Sequence, residues 1–275
     1  MSSSPNSPSL SGAEPGNGSP LEAAAPDEPL IVYRGVGKHF EDHVVLRDIN
    51  LEIYPGETMV ILGRSGSGKT VMTCMLVGLL VPDEGTITVA GADLAELKSD
   101  EDWRGLRLKT GYLFQASALY DSMSVGENVA FPMEQHTDWS REEIVKRVRD
   151  KLSQVGLEEA INLSPGELSG GMMRRAALAR SLALDPHLII YDEPTAGLDP
   201  ITVDGIGRLM RRLQQNLGVT SVVVSHDLRL TEHVADRVAL LYEGTLAFLG
   251  TYQEFAQSSN QEARRFLHKE GDSPQ

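Results

Sequence analysis

The chain has 275 residues, with 25 Lys and Arg against 39 Asp and Glu, for a formal charge of −14. That length accommodates one large domain or two small ones with a sizeable buried core. The acidity argues against a protein that coats nucleic acid, which needs cations to displace condensed counterions, so no nucleic-acid partner is expected.

Residues 1–29 hold no Lys or Arg, four acids and six of the fourteen prolines. Such a segment buries too little apolar surface to offset its ordering entropy, and it reads as a disordered tail. It has neither the basic patch and apolar core of a signal peptide nor the arginines of a transit peptide. From Leu30 the runs LIVYRGV, NLEIYPG, ETMVILG and GTITVAG read as short strands broken by Gly or Pro. The apolar run 71–80 is expected to be a helix buried against a sheet. The chain's single cysteine, Cys74, lies in it and reads as a small core hydrophobe, with no disulfide framework to join. No apolar run approaches the ~18–20 residues of a membrane span, so membrane work would be done through partners.

Between the third strand and that helix lies Gly63-Arg64-Ser65-Gly66-Ser67-Gly68-Lys69-Thr70, a G-x-x-x-x-G-K-[ST] sequence. Glycines let the backbone curl so that successive N–H groups face phosphate oxygens, and the helix that comes next adds the positive end of its dipole. Lys69 is then placed to neutralise β- and γ-phosphates, and the Thr70 hydroxyl to ligate Mg²⁺. This is a strong signal for a bound nucleotide.

Roughly residues 116–184 read as a helical block. In 140–156, Ile144, Val145, Val148, Leu152 and Val155 fall at helical spacing, with Glu142/Lys146 and Glu143/Arg147 as i,i+4 partners on the wet side. Ser169 is expected to cap the next helix, while Gly170 and Gly171 expose its first N–H groups. That makes a second anion site, useful if two chains meet head to tail.

The strand LIIYD (188–192) would deliver Asp192 to the sheet's C-terminal edge beside the P-loop, where Mg²⁺ sits. Glu193 is left to polarise an attacking water. In 201–218, Ile206, Leu209, Met210, Leu213 and Leu217 share a helix face that closes on Gly218. The strand TSVVVS brings His226 to the same edge. Residues 237–250 read as a hairpin turning at Glu243-Gly244. His136, in FPMEQHT, is assigned to the surface. Strands alternating with helices mean a mostly parallel α/β sheet, with the helical block inserted.

Taken together, the P-loop, LSGGM, IIYDEP, GLDP and VSHD resemble the ATPase subunit of an ABC transporter over residues 30–250. The resemblance implies a P-loop NTPase fold with a RecA-like core, an antiparallel β subdomain and an inserted α-helical subdomain. It also implies a cassette spanning 30–257, a short C-terminal extension over 258–275, and a homodimer closed around two ATPs with Mg²⁺. On the same ground Phe40 stacks on adenine, and Gln115 of the Q-loop touches Mg²⁺ and the attacking water. Ser169, Gly170 and Gly171 bind the partner's ATP. Glu193 is the base, Asp199 belongs to the D-loop that communicates across the dimer, and His226 is the switch histidine on the γ-phosphate. Two departures, Phe40 for Tyr and Met172 for Gln, remove no group that touches phosphate or metal.

Segments 114–137, 169–186 and 193–202 more closely resemble ATPases of Mla/Mce-type lipid transporters. That likeness implies phospholipid cargo, an integral membrane permease, a Mce-domain lipid-binding subunit, and a peripheral place at the cytoplasmic face of the inner membrane. Residues 116–132 fall where the family builds its groove for the permease. There Leu119, Tyr120 and Met123 either contact the permease or pack within the insertion. Competing readings are an ABC ATPase for another cargo, such as amino acids or lipoproteins, and a soluble ABC switch acting in repair or translation.

Overall fold

Strands that read as unbroken apolar runs line up in parallel, because both of their faces are covered. In the computed structural model, which describes residues 28–271, all but the last two residues of the proposed N-terminal tail lie outside the described residues. A six-stranded sheet runs in the order β10 (Thr245–Thr251), β9 (Arg237–Tyr242), β3 (Thr58–Leu62), β8 (Thr220–Ser225), β7 (Leu188–Asp192) and β6 (Thr110–Leu113). All neighbours in it pair in parallel except β10 with β9. Val60, Leu62, Ile189, Tyr191 and Val223 face one core, while Met59, Ile61, Ile190, Val222 and Val224 face another.

The second core is closed by a four-stranded antiparallel sheet in the order β2 (His43–Ile53), β1 (Ile31–Phe40), β4 (Glu84–Val89), β5 (Ala92–Asp93), together with α1 (Lys69–Leu76). The buried Tyr33 hydroxyl donates to the Met72 carbonyl at 3.0 Å and fastens this sheet to α1. The helix is shorter than its apolar run. It stops at Leu76, and Gly78 turns the chain at φ 69°. A Cβ on Gly78 would stand 2.6 Å from the Trp103 ring, so this glycine answers both the turn and a close approach. Leu79 and Val81 are left exposed.

The first core is covered by α3 (Val125–His136), α4 (Arg141–Val155), α5 (Gly170–Ser181) and α6 (Pro200–Leu217). Ser124, Ser140 and Ser169 cap the first three of these helices through their hydroxyls. In α4, Ile144, Val148, Leu152 and Val155 are buried but Val145 is exposed, so the apolar stripe is narrower than its spacing implied. Lys151 is buried instead, ion-paired to Asp185 at 2.5 Å. Glu143 pairs with Arg147 at 3.1 Å on the wet side. On α6 the stripe holds through Leu213; Leu217 is exposed because the helix ends there, with Gly218 at φ 65°.

The remaining helices are α2 (Asp100–Leu108), α7 (Leu228–Val234), α8 (Tyr252–Ala256) and α9 (Gln261–Gly271). Phe266 of α9 is buried in the first core and stacks edge-on against Phe255 of α8, with ring centres 6.4 Å apart. The whole is an α/β fold with a mainly parallel sheet, an antiparallel second sheet and an inserted helical layer, as the sequence pattern required. Among the described residues no helix is long and apolar enough to cross a membrane.

Candidate active site

Strand register assembles the site. Leu62 of β3 lies opposite Ser225 of β8, Val224 opposite Asp192 of β7, and Tyr191 opposite Leu113 of β6. Four adjacent strands therefore end together, and the residues just past each strand are brought to one edge. The groups delivered there are the P-loop, His226, Asp192–Glu193 and Gln115. A pocket of about 300 Å³ opens at this edge, lined by Ser65, Gly66, Gly68, Lys69, Thr70, Gln115, Glu193 and His226, with Val45 and Val71 as its apolar wall.

The P-loop is shaped for an anion. Gly66 and Gly68 take φ of 79° and 104°. A Cβ on Gly68 would lie 2.7 Å from Leu46 Cδ2, whereas Gly66 faces open space. Gly68 starts α1 with no side-chain cap, so the first N–H groups of the helix are left for a ligand. The Ser67 hydroxyl oxygen is buried with no partner among the described residues, and a Cβ on Gly63 would press on it at 2.5 Å. Arg64 is not among the residues lining this pocket; it lines a neighbouring cavity with Glu262 and Arg265 of α9.

Lys69 is buried. Its ammonium donates to the carbonyls of Gly63 (2.8 Å) and Arg64 (3.1 Å) and pairs with Glu193 Oε1 at 3.4 Å. The other Glu193 oxygen lies 2.9 Å from His226 Nδ1. Thr70 donates its hydroxyl to Asp192 Oδ1 at 3.2 Å.

The two neighbouring carboxylates experience opposite environments. Burial pushes the pKa of Asp192 up, with the Glu193 charge adding to this, against the Thr70 hydrogen bond and the Lys69 charge. Burial also works upward on Glu193. There the His226 hydrogen bond and the charges of His226 and Lys69 outweigh it, and Glu193 is held below the usual glutamate range. Glu193 is thus ionised at neutral pH and next to the place a phosphate would occupy.

The donor set fits Mg²⁺ arriving with a nucleotide. Among the described residues no cluster of three or more His, Cys, Asp or Glu could cage a metal. Mg²⁺ needs no such cage: it keeps waters and takes one or two protein oxygens plus substrate phosphates. The hydrogen-bonded Thr70 hydroxyl and Asp192 carboxylate are such oxygens.

Other predicted residues lie elsewhere. Ser169 caps α5, accepting from Met172 N at 3.3 Å. Asp199 caps α6, accepting from the amides of Ile201 and Thr202 at 3.1 and 3.0 Å and from the Thr202 hydroxyl. The two caps adjoin, since a Cβ on Gly171 would lie 2.8 Å from Thr202 Cγ2 and one on Gly170 would lie 3.3 Å from Leu198. Neither cap lines the P-loop pocket. Phe40 is exposed at the end of β1, with the Lys38 ammonium 5.3 Å from its ring centre, and it too stands outside the pocket. Val45 was not singled out from the sequence; the usable signal was its place on the hairpin partner of Phe40, packed against the P-loop glycine.

A second groove, about 620 Å³, runs between α2, the segment after β6 and the helical layer. Arg104, Arg107, His136 and Arg180 line it beside Phe114, Tyr120, Phe131 and Pro132. Of the three side chains predicted for that segment, Tyr120 is exposed in the groove and Leu119 packs against the core. Met123 is half-buried.

Residues 46–196 match the family model described as "ABC transporter". The chain is 41% identical over 233 residues to the "Intermembrane phospholipid transport system ATP-binding protein MlaF" of Haemophilus influenzae, covering 85% of this chain and 88% of that protein. It is 37% identical over 238 residues to the "Probable ribonucleotide transport ATP-binding protein mkl" of Mycobacterium leprae, covering 86% and 68%. Among solved structures, a dimeric ATP-binding cassette in a post-hydrolysis state with ADP and Pi matches with a TM-score of 0.73 and 33% identity, covering 81% of this chain and 98% of that one. With the strand ends, the P-loop and the capped α5 in place, these likenesses agree with the geometry: the chain belongs to the ABC transporter family, as an ATP-binding and ATP-hydrolysing cassette subunit.

Proposed function

We propose that this cassette closes on a second copy of itself around two Mg-ATP and powers phospholipid movement through an integral membrane permease of Mla/Mce type. The observation that carries the mechanism is the division of phosphate donors within one chain. The P-loop pocket holds Lys69, Glu193 and His226, whereas Ser169, Gly170 and Gly171 stand outside it at the start of α5. A head-to-tail twin would bring the second set over the first.

In that arrangement Lys69 exchanges Glu193 for the γ-phosphate, and the freed carboxylate takes the proton of the attacking water. His226, now bonded to Glu193, keeps that carboxylate oriented and faces the departing phosphate. Thr70 and Asp192 hold Mg²⁺, with Gln115 beside them, and the metal when bound neutralises charge on the β- and γ-phosphates. Phe40 and Val45, on one hairpin, provide an apolar seat for the adenine. Asp199, adjoining Gly171, passes contact between the two pockets. The Arg-rich, aromatic groove that contains Tyr120 receives a cytoplasmic segment of the permease, with the subunit peripheral at the inner membrane.

Phospholipid is favoured as cargo by the relative named for that transport, at 41% identity; a Mce-domain partner is part of the same reading. A different cargo is the second reading, since another relative is named for ribonucleotide transport. Affinity purification of the full chain from native membranes, with mass spectrometry of subunits and bound lipid, separates them. Co-purifying permease, Mce-domain protein and phospholipid are expected. A permease without either companion would overturn the lipid reading.

A further inference from the structure

The helix that starts with Ser169 and the two glycines also grips the loop that carries Gln115. Arg174, on α5 and 6% exposed, donates from one guanidinium nitrogen to the carbonyls of Phe114 (3.1 Å) and Gln115 (2.6 Å). Further along the same helix, Arg180 donates to the carbonyls of Ser117 (3.1 Å) and Ala118 (2.7 Å). Among the described residues these hydrogen bonds go to backbone carbonyls and not to carboxylates. Burial lowers the pKa of both guanidinium groups.

The gripped loop is strained. Ser117 and Ala118 take φ of 61° and 50°, two successive side-chain-bearing residues in the left-handed region. Such a backbone persists only where its surroundings over-determine it. Burying a cation without a carboxylate is costly, and a neutral side chain would satisfy one carbonyl more cheaply. At Arg174 a single guanidinium nitrogen spans two neighbouring carbonyls, and at Arg180 two nitrogens of the planar group take one carbonyl each. Four carbonyls between residues 114 and 118 are fixed in this way to a single helix.

We infer that Arg174 and Arg180 are positioning residues that lock the Gln115 loop to α5. Any shift of α5, whose N-terminus faces one nucleotide, then carries Gln115 into or out of the pocket that holds the other. The inference rests on the roles proposed above for Gln115 and Ser169, and adds the rods that connect them.

The test is steady-state Mg-ATP hydrolysis by the full chain carrying Arg174→Gln, Gln115→Ala, or both. Arg174→Gln is expected to lower kcat about tenfold while the KM for ATP stays within about twofold. The double variant is expected to match Gln115→Ala alone, because both changes disable one unit. Additive losses, an unchanged kcat in Arg174→Gln, or a KM that rises as kcat falls would each overturn the lock. An unchanged kcat in Gln115→Ala would sink the Gln115 assignment as well, which distinguishes the two failures. Should Arg174→Gln not fold, Arg174→Met takes its place in the cycle, filling the buried space while removing both hydrogen bonds.

Discussion

Replacing Glu193 by glutamine keeps the shape of the side chain and removes one negative charge and one proton acceptor. The carboxylate is held ionised by His226 at 2.9 Å and Lys69 at 3.4 Å, so it is available as a base at neutral pH. A positioned general base is worth about 10²–10⁴ in rate, or roughly 3–5 kcal/mol of barrier. Turnover of Glu193→Gln should therefore fall at least about a hundredfold. Binding should move the other way. Charges 3.4 Å apart attract by about 5 kcal/mol at an effective dielectric of 20. ATP must break that pair, and its phosphate then restores most of the attraction. The variant begins with Lys69 on the Gly63 and Arg64 carbonyls and a neutral amide, not a charge, opposite it. Its affinity for Mg-ATP is expected to equal or exceed the parent's by up to about tenfold, or 1.4 kcal/mol.

Phosphate release measures the first effect, titration with a fluorescent nucleotide the second, and light scattering in saturating Mg-ATP the closed dimer that should accumulate. Turnover within about fivefold of the parent would refute the base assignment. Weaker nucleotide binding would refute the account of Lys69.

The adjacent carboxylates should respond to pH with opposite sign. Asp192 has a raised folded pKa, so its charged form burdens the fold; Asp192→Asn should stabilise the metal-free chain by about 1 kcal/mol at pH 7 while abolishing Mg²⁺-dependent hydrolysis. In thermal melts that advantage should vanish below the ordinary aspartate value of 3.8, where both chains are neutral at this position. Glu193 has a lowered folded pKa, so its contribution is present above 4.5 and is lost as pH falls through the depressed value; Glu193→Gln should melt below the parent at pH 7 and converge with it in acid. Tyr33→Phe, which unties the second sheet from α1, should cost about 1 kcal/mol and lower Tm by about 2–4 °C with nucleotide affinity unchanged, as calorimetry and titration would check.

The elements that the sequence disclosed are those in which local pattern and tertiary demand coincide. Strands β3, β7 and β8 are apolar throughout because both faces are covered, and the positions of Asp192, Glu193 and His226 are set directly by where those strands end. Departures came where a contact distant in sequence decided the outcome. Trp103 against Gly78 ended α1 early, and Asp185 drew Lys151 into a position that a helical pattern assigns to solvent. At the site, motif residues were legible because phosphate chemistry permits few substitutes. Val45 and Arg174 were not, because a wall valine and a loop-gripping arginine look like any valine in a hairpin or any arginine on a helix.

One further constraint explains why Glu193 has an unusual backbone. In an extended strand successive side chains point to opposite faces, so Asp192 and Glu193 could not both serve the P-loop if β7 simply continued. Yet Asp192 meets the Thr70 hydroxyl and Glu193 meets the neighbouring Lys69. The chain achieves this by placing Glu193 at φ 48°, with its amide donating to Val224 at 2.9 Å. A left-handed residue that is not glycine costs on the order of 1–2 kcal/mol. Glycine would relieve that strain but remove the carboxylate that meets Lys69 and His226, so the residue that destabilises the turn is the one that joins the cluster. The strain is thus the consequence of aiming two consecutive carboxylates at two consecutive P-loop side chains.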